Sequence, residues 1–342
     1  MKKKLLSVML VAVMAASVLT GCGSTDDSSA AGTGAVESNV EEADAAESNG
    51  EESYNIGICQ LVEHPALDAA TQGFKDALTE KLGDKVSFNE QNAQGEATTS
   101  ATICNGFVSE DVDLILANAT APLQSAAAAT TSIPVLGTSV TDYATALEIA
   151  DWTGSTGRNI SGTSDLAPID QQEDMLLELF PDVKQVGILY CSAEANSLYQ
   201  VQLFSEALAA DGIAYKEYGI ADTNEVQSVV TAAIAECDVL YIPTDNTLAS
   251  CTETVYNIVN PAKIPVIAGE EGICSGCGVA TLSISYYDLG YATGEMAYEI
   301  LVEGKDITTM DVRYAPNVTK KYNAQACEDL GIEVPEDYVV IE

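Results

Sequence analysis

The chain has 342 residues, enough for two domains, and its 47% hydrophobic content can fill two cores. Against 14 Lys and Arg it carries 52 Asp and Glu, a formal net charge of −38. That balance excludes nucleic acid and anionic membrane surface as electrostatic partners, since both require a basic face.

Met1-Lys2-Lys3-Lys4 is a basic n-region, and Leu5 to Val18 is an apolar run too short for a typical membrane span. Leu19-Thr20-Gly21-Cys22 resembles the lipobox of bacterial lipoproteins. The resemblance implies a signal peptide over residues 1–21 and lipid on Cys22, whose acyl chains bury methylenes at roughly 0.8 kcal/mol each. Residues 22–53 are rich in Ser, Gly, Ala, Asn and acidic side chains and hold no aromatic. Such a segment cannot offset its ordering entropy by burial, so it reads as an acidic, disordered tether.

The folded body begins near Tyr54. Ile56, Ile58 and Leu61 predict a short buried strand, and Glu63-His64-Pro65 breaks it. Ala66, Ala70, Phe74, Ala77 and Leu78 then recur at helical spacing, with Pro65 where a first turn tolerates a residue lacking N–H. This unit sets polar groups at the carboxyl end of a strand, where open α/β sheets bind ligands. Further strands are predicted at Val86-Ser87-Phe88, Leu114-Ile115-Leu116 and Val135-Leu136, each followed by a polar loop and a helix or turn. Ile160 to Asp165 reads as a crossover into a second lobe.

That lobe repeats the first. Gly57 and Gly187, Phe74 and Phe204, Ala77 and Ala207, and Leu78 and Leu208 are each 130 positions apart. Ile133-Pro134-Val135 returns as Ile264-Pro265-Val266 at an offset of 131, and Asp113-Leu114-Ile115 as Asp238-Val239-Leu240 at 125. A helix from Tyr286, stopped by Gly304, is assigned back to the first lobe. The expected fold is α/β: two similar doubly wound parallel-sheet lobes, 54–163 plus 286–311 and 164–285 plus 312–342. A hinge of several chain crossings joins them and leaves a cleft.

Glu63-His64-Pro65-Ala66-Leu67-Asp68, Asn92-Ala93-Gln94-Gly95, Thr163-Ser164-Asp165-Leu166 and Pro243-Thr244-Asp245-Asn246-Thr247 occur in this order. Together they resemble the ABC-transporter substrate-binding proteins of the tryptophan/tyrosine-uptake type, over residue 54 to the end. The resemblance implies a type I periplasmic-binding-protein fold and a small ligand, often an aromatic amino acid, held between closing lobes. It also implies delivery to a permease with a cytoplasmic ATPase, from a lipid-anchored, extracytoplasmic position. A monomer is expected. A sensing module for a membrane receptor, a binder of a sugar or nucleoside, and a lipid-anchored hydrolase are the competing functions.

A zwitterionic amino acid needs a carboxylate beside its ammonium and N–H or hydroxyl donors around its own carboxylate, and helix N-termini supply the latter. The candidate ligand residues are Glu63, His64, Thr120, Ala121, Thr141, Asp142, Thr163, Ser164, Asp165, Asn196, Ser197, Thr244, Asp245, Asn246 and Glu270. Asp165 and Asp245 are favoured as ammonium partners because they lie inside the matched motifs. The Thr, Ser, Asp and Asn residues among them are equally good helix N-caps, worth roughly 1 kcal/mol apiece. Tyr190, Tyr286 and Tyr287 could line an aromatic pocket.

Catalysis is not expected. The chain has one histidine and no Gly-x-Ser-x-Gly elbow. The lone Cys274-Ser275-Gly276-Cys277 lacks partners of zinc spacing, so no metal or cofactor is expected. Its two cysteines are left open between thiol and disulfide. No phosphate-binding Gly-rich loop occurs, which places the ATPase on another chain.

Overall fold

The computed structural model describes residues 53–315 and 317–341, so the expectations for the signal peptide, Cys22 and the tether concern residues outside that range. In β1 (Tyr54–Gln60), Ile56 and Ile58 are fully buried. Pro65 opens α1 (Pro65–Leu82), where its missing N–H leaves no hydrogen bond unmade. The alternation continues through β2 (Val86–Asn92), α2 (Ala97–Ser109), β3 (Leu114–Asn118), α3 (Thr120–Ala129), β4 (Val135–Val140), α4 (Tyr143–Ala146) and β5 (Ile160–Ser164). Every residue of β3 is buried, as in a parallel strand covered on both faces.

The second series is α5 (Ile169–Leu179), β6 (Gln185–Cys191), α6 (Ala195–Ala210), β7 (Ala214–Ile220), α7 (Val226–Ala233), β8 (Val239–Ile242), α8 (Asn246–Ala249), α9 (Thr252–Ala262), β9 (Val266–Ala268), α10 (Glu271–Cys277) and β10 (Ala280–Ser283). It is followed by α11 (Tyr286–Leu301), β11 (Arg313–Tyr314), β12 (Thr319–Tyr322), α12 (Ala324–Leu330) and β13 (Val339–Val340).

Among the described residues these strands form two sheets, ordered β11-β5-β4-β3-β1-β2 and β13-β12-β10-β9-β8-β6-β7. All pairings are parallel except that of β10 with β12. Each sheet is covered on both faces. In the first, Phe107, Ile115 and Tyr143 pack on the α2–α4 side, and Ile56, Phe74, Leu116 and Met296 on the side of α1 and α11. In the second, Leu240, Val255 and Ile273 pack beneath α9 and α10, and Ile188, Phe204 and Tyr241 beneath α5 and α6. This is the doubly wound, two-lobed arrangement that the repeat predicts.

The chain passes between the sheets after β5, after β10 and after β11. The last crossing corrects one boundary. The segment from 312 onward was expected in the second lobe, but Arg313 and Tyr314 pair with Thr163 and Ser164 at the edge of the first sheet. The expected cut between Thr163 and Ser164 likewise falls inside β5. The cysteines among the described residues, Cys274 and Cys277 included, are all free. No helix among the described residues is long and apolar enough to cross a membrane.

Helices α1 and α11 cross with their backbones touching. A Cβ on Gly290 would overlap the Ala70 carbonyl oxygen, whereas one on Gly106 of α2 would meet nothing within 4 Å. Gly290→Ala is therefore expected to destabilise by about 1–3 kcal/mol through overpacking, and Gly106→Ala to stabilise by about 0.5–1 kcal/mol. Melting temperatures moving in opposite directions, measured by circular dichroism, are the check.

Candidate functional site

The carboxyl ends of β6, β8 and β9 form one wall, and helix capping dictates its chemistry. Asp245 caps α8 by accepting from Leu248 N at 2.9 Å on Oδ1, while its Oδ2 accepts from Cys191 N at 2.6 Å and Ser197 Oγ at 2.7 Å. Glu194, before α6, accepts from Thr247 N at 2.8 Å and Thr247 Oγ1 at 2.7 Å on Oε1. Its Oε2 accepts from Asn246 Nδ2 at 2.6 Å and Asn196 Nδ2 at 3.0 Å. Glu270 caps α10, accepting from Ile273 N at 2.5 Å and Gly272 N at 2.6 Å. Thr244 is held through its own N–H, which donates to Gln200 Oε1 at 3.1 Å.

Asp245 was expected to receive a ligand ammonium. In the structure its oxygens accept from three donors of its own lobe, one on Oδ1 and two on Oδ2. Burial, with the Glu194 charge beside it, pushes its pKa up to about 8, and burial pushes Glu270 up to about 7.

The opposing wall lies at the ends of β1, β3, β4 and β5. His64 precedes α1, is buried, and places Nε2 3.2 Å from Asn246 Oδ1 across the cleft, while Nδ1 has no partner. Desolvation holds its pKa below the usual imidazole value. Thr120 opens α3 with a buried hydroxyl that bonds nothing, just after Ala119 at φ 102. Ser139 has φ 55 and a second unpartnered hydroxyl, where the β4–β5 register shifts. Non-glycine residues in such conformations gather at functional sites, and here two sit at adjacent strand ends. Asp142 caps α4 through Thr145 N at 2.7 Å.

Asp165 stands on the first crossing between the lobes, and Tyr286 opens the helix after the second. The Tyr286 hydroxyl donates to Asp165 Oδ2 at 2.9 Å, and Oδ1 is buried without a partner. Burial raises the Asp165 pKa, against the pull of the Tyr286 hydroxyl.

His64, Asp165, Thr244, Asp245, Asn246, Glu270 and Tyr286 line one small cavity of about 10 Å³ with Leu67 and Ala249. Thr120, Asp142 and Asn196 meet at a second crevice beside Tyr199. A groove of about 560 Å³, between the start of α1 and α10, shares Ala249, Glu270 and Tyr286 with the cavity.

The remaining candidates lie elsewhere. Glu63 is exposed, and Ala121 packs half-buried on Leu61 and Leu67. Thr163 turns into the first lobe's core, with its Oγ1 2.8 Å from Thr293 Oγ1. The Ser164 hydroxyl donates to the buried Thr141's carbonyl at 2.8 Å, and Ser197 serves Asp245. Sequence reasoning points to the loops 194–198 and 138–142 but does not single out Glu194 or Ser139 within them. An acid directly ahead of a helix is a readable signal for the first, whereas nothing in the sequence marks the bulge that strains the second.

A family model described as "ABC transporter substrate binding protein" matches residues 55–341. The chain belongs to this family. It is 38% identical over 317 residues to a tyrosine-binding protein of Clostridioides difficile (strain R20291), covering 90% of this chain and 88% of that protein. The ABC domain from Streptococcus pneumoniae in complex with L-Trp superposes with a TM-score of 0.80 at 32% identity, covering 85% of this chain and 100% of that one. A substrate-binding protein with adhesive properties from Clostridium difficile, in its ligand-free, open form, gives 0.65 at 38% identity, covering 84% and 99%. The chain has the type I periplasmic-binding-protein fold.

The raised carboxylates have a consequence for stability. Asp245 and Glu270 hold protons in the folded protein at pH values where the unfolded chain has lost them, so stability falls as pH rises through about 7 to 8; the raised pKa of Asp165 acts in the same sense. Below about pH 6.5 the buried, neutral His64 acts in the opposite sense. The ligand-free protein is expected to melt several degrees higher at pH 7 than at pH 8.5, and Glu270→Gln to flatten that slope. Scanning calorimetry at the two pH values tests both.

Proposed function

We propose that this protein is the extracytoplasmic receptor of an ABC importer and binds an amino acid, with tyrosine or tryptophan as the best candidates, in the cleft between its lobes. The observation that carries the reading is the Asp165 carboxylate. One oxygen is held by Tyr286, and the other is buried with nothing bonded to it, at a cavity also lined by Asp245 and Glu270. The lining includes no lysine or arginine. Burial without a cation raises the pKa of Asp165, and a ligand ammonium supplies the opposite charge that favours its ionised form. The free hydroxyls of Thr120 and Ser139, with the N-terminus of α3, offer donors for the ligand's own carboxylate.

Binding needs no covalent step. The ligand adds contacts that exist only when the lobes are apposed, and so shifts an open–closed equilibrium. The receptor acts as a monomer held to the membrane by lipid on Cys22, with residues 23–53 as the tether, and passes its ligand to a permease driven by a separate ATPase.

A thermal-shift screen of the twenty amino acids identifies the ligand, since saturation at 100 times the dissociation constant adds about 2.7 kcal/mol. Asp165→Asn is expected to weaken binding by roughly 100-fold, in line with the loss of a buried charged hydrogen bond, and not to lower the melting temperature of the free protein. Unchanged affinity by isothermal titration calorimetry would remove Asp165 from the site.

A further inference from the structure

We infer that His64 reads a hydrogen-bond donor on the aromatic ring of the ligand, so that the site takes tyrosine or tryptophan in preference to phenylalanine. This rests on the proposal that the cleft holds an aromatic amino acid.

The argument starts on the other lobe. Asn246 Nδ2 donates to Glu194 Oε2 at 2.6 Å, and a carboxylate oxygen can only accept. That bond fixes the orientation of the amide and turns Asn246 Oδ1 toward His64, 3.2 Å from Nε2. Oδ1 has no proton to give, so the proton of this contact sits on Nε2. Asp68 and Glu194 favour the charged imidazole, but burial outweighs them and keeps the ring neutral. A neutral ring protonated on Nε2 presents Nδ1 as a bare lone pair.

That lone pair is buried and has no partner, in a side chain only 6% exposed that lines the small cavity beside Leu67 and Ala249, which parting of the lobes widens to admit a ligand. A phenol O–H or an indole N–H reaching Nδ1 satisfies it. A phenyl ring leaves it desolvated and unpaired, and sites built around a ligand hydroxyl or N–H reject the analogue that lacks one. The ligand ammonium has its own acceptor in Asp165 Oδ1.

Isothermal titration of the mature protein with L-tyrosine, L-tryptophan and L-phenylalanine tests the inference, alongside His64→Leu and Asp165→Asn. The wild type is expected to bind at least one of the first two about tenfold or more tighter than phenylalanine. His64→Leu also loses the contact with Asn246, which weakens all three ligands alike, so the ratio is the readout: it should shrink to within about threefold. Asp165→Asn should weaken all three and keep the ratio. Equal wild-type affinities, or a preference that survives in His64→Leu, would overturn the role of His64 while leaving the amino-acid reading in place. If none of the three binds the wild type, the amino-acid reading falls and this inference with it.

Discussion

Parallel strands end where helices begin, and each helix begins with N–H groups that no residue within it can satisfy. In this protein the acidic and amide side chains at the strand ends answer that demand first. Asp142, Asp245 and Glu270 each accept from the turn they precede, and Glu194 does the same for the neighbouring α8. What can face a ligand is what capping leaves over: Nδ1 of His64, Oδ1 of Asp165 and the hydroxyls of Thr120 and Ser139. Net charge alone would suggest an acidic trap with many equivalent carboxylates, but in the lining of the cavity hydrogen bonding leaves Asp165 Oδ1 as the carboxylate oxygen without a partner.

The two walls are built differently. Lobe 2 is wired internally through Glu194, Asp245 and Gln200, so its surface is complete before anything binds. Lobe 1 carries the strained backbone at Ala119 and Ser139 and three of the four unpartnered atoms named above. Asp165 joins the two roles. It stands on one crossing between the lobes and is gripped by a residue from another, so the group facing the cavity is anchored to the hinge itself.

Much of the fold was legible because the duplication is legible. Gly57 and Gly187 lie in β1 and β6, each flanked by two parallel neighbours, and Phe74 and Phe204 are fully buried in corresponding helices. The matched Asp113 and Asp238 act alike, each accepting the N–H that starts the adjacent strand, from Asn55 at 2.7 Å and Gln185 at 3.0 Å. Other features were beyond reach. A strand of two residues, β11, has no periodicity to detect, and its pairing with β5 depends on the fold around it. The motif that drew attention to Asp245 could not show that Cys191 and Ser197, 54 and 48 residues earlier, already occupy its second oxygen. Sequence nominated nearly all the lining residues. It could not say which of their atoms were spare.

The contact between α1 and α11 reaches further than packing. Gly73 and Gly290 bring the two helices together without intervening side chains, so they move as one bar. One end of that bar carries His64, just ahead of α1, and Tyr286, the first residue of α11. Substitutions in the crossing, well away from any bound molecule, would tilt the ring and the hydroxyl relative to each other. The spacing of two groups that line the cavity is thus set by glycines that do not line it.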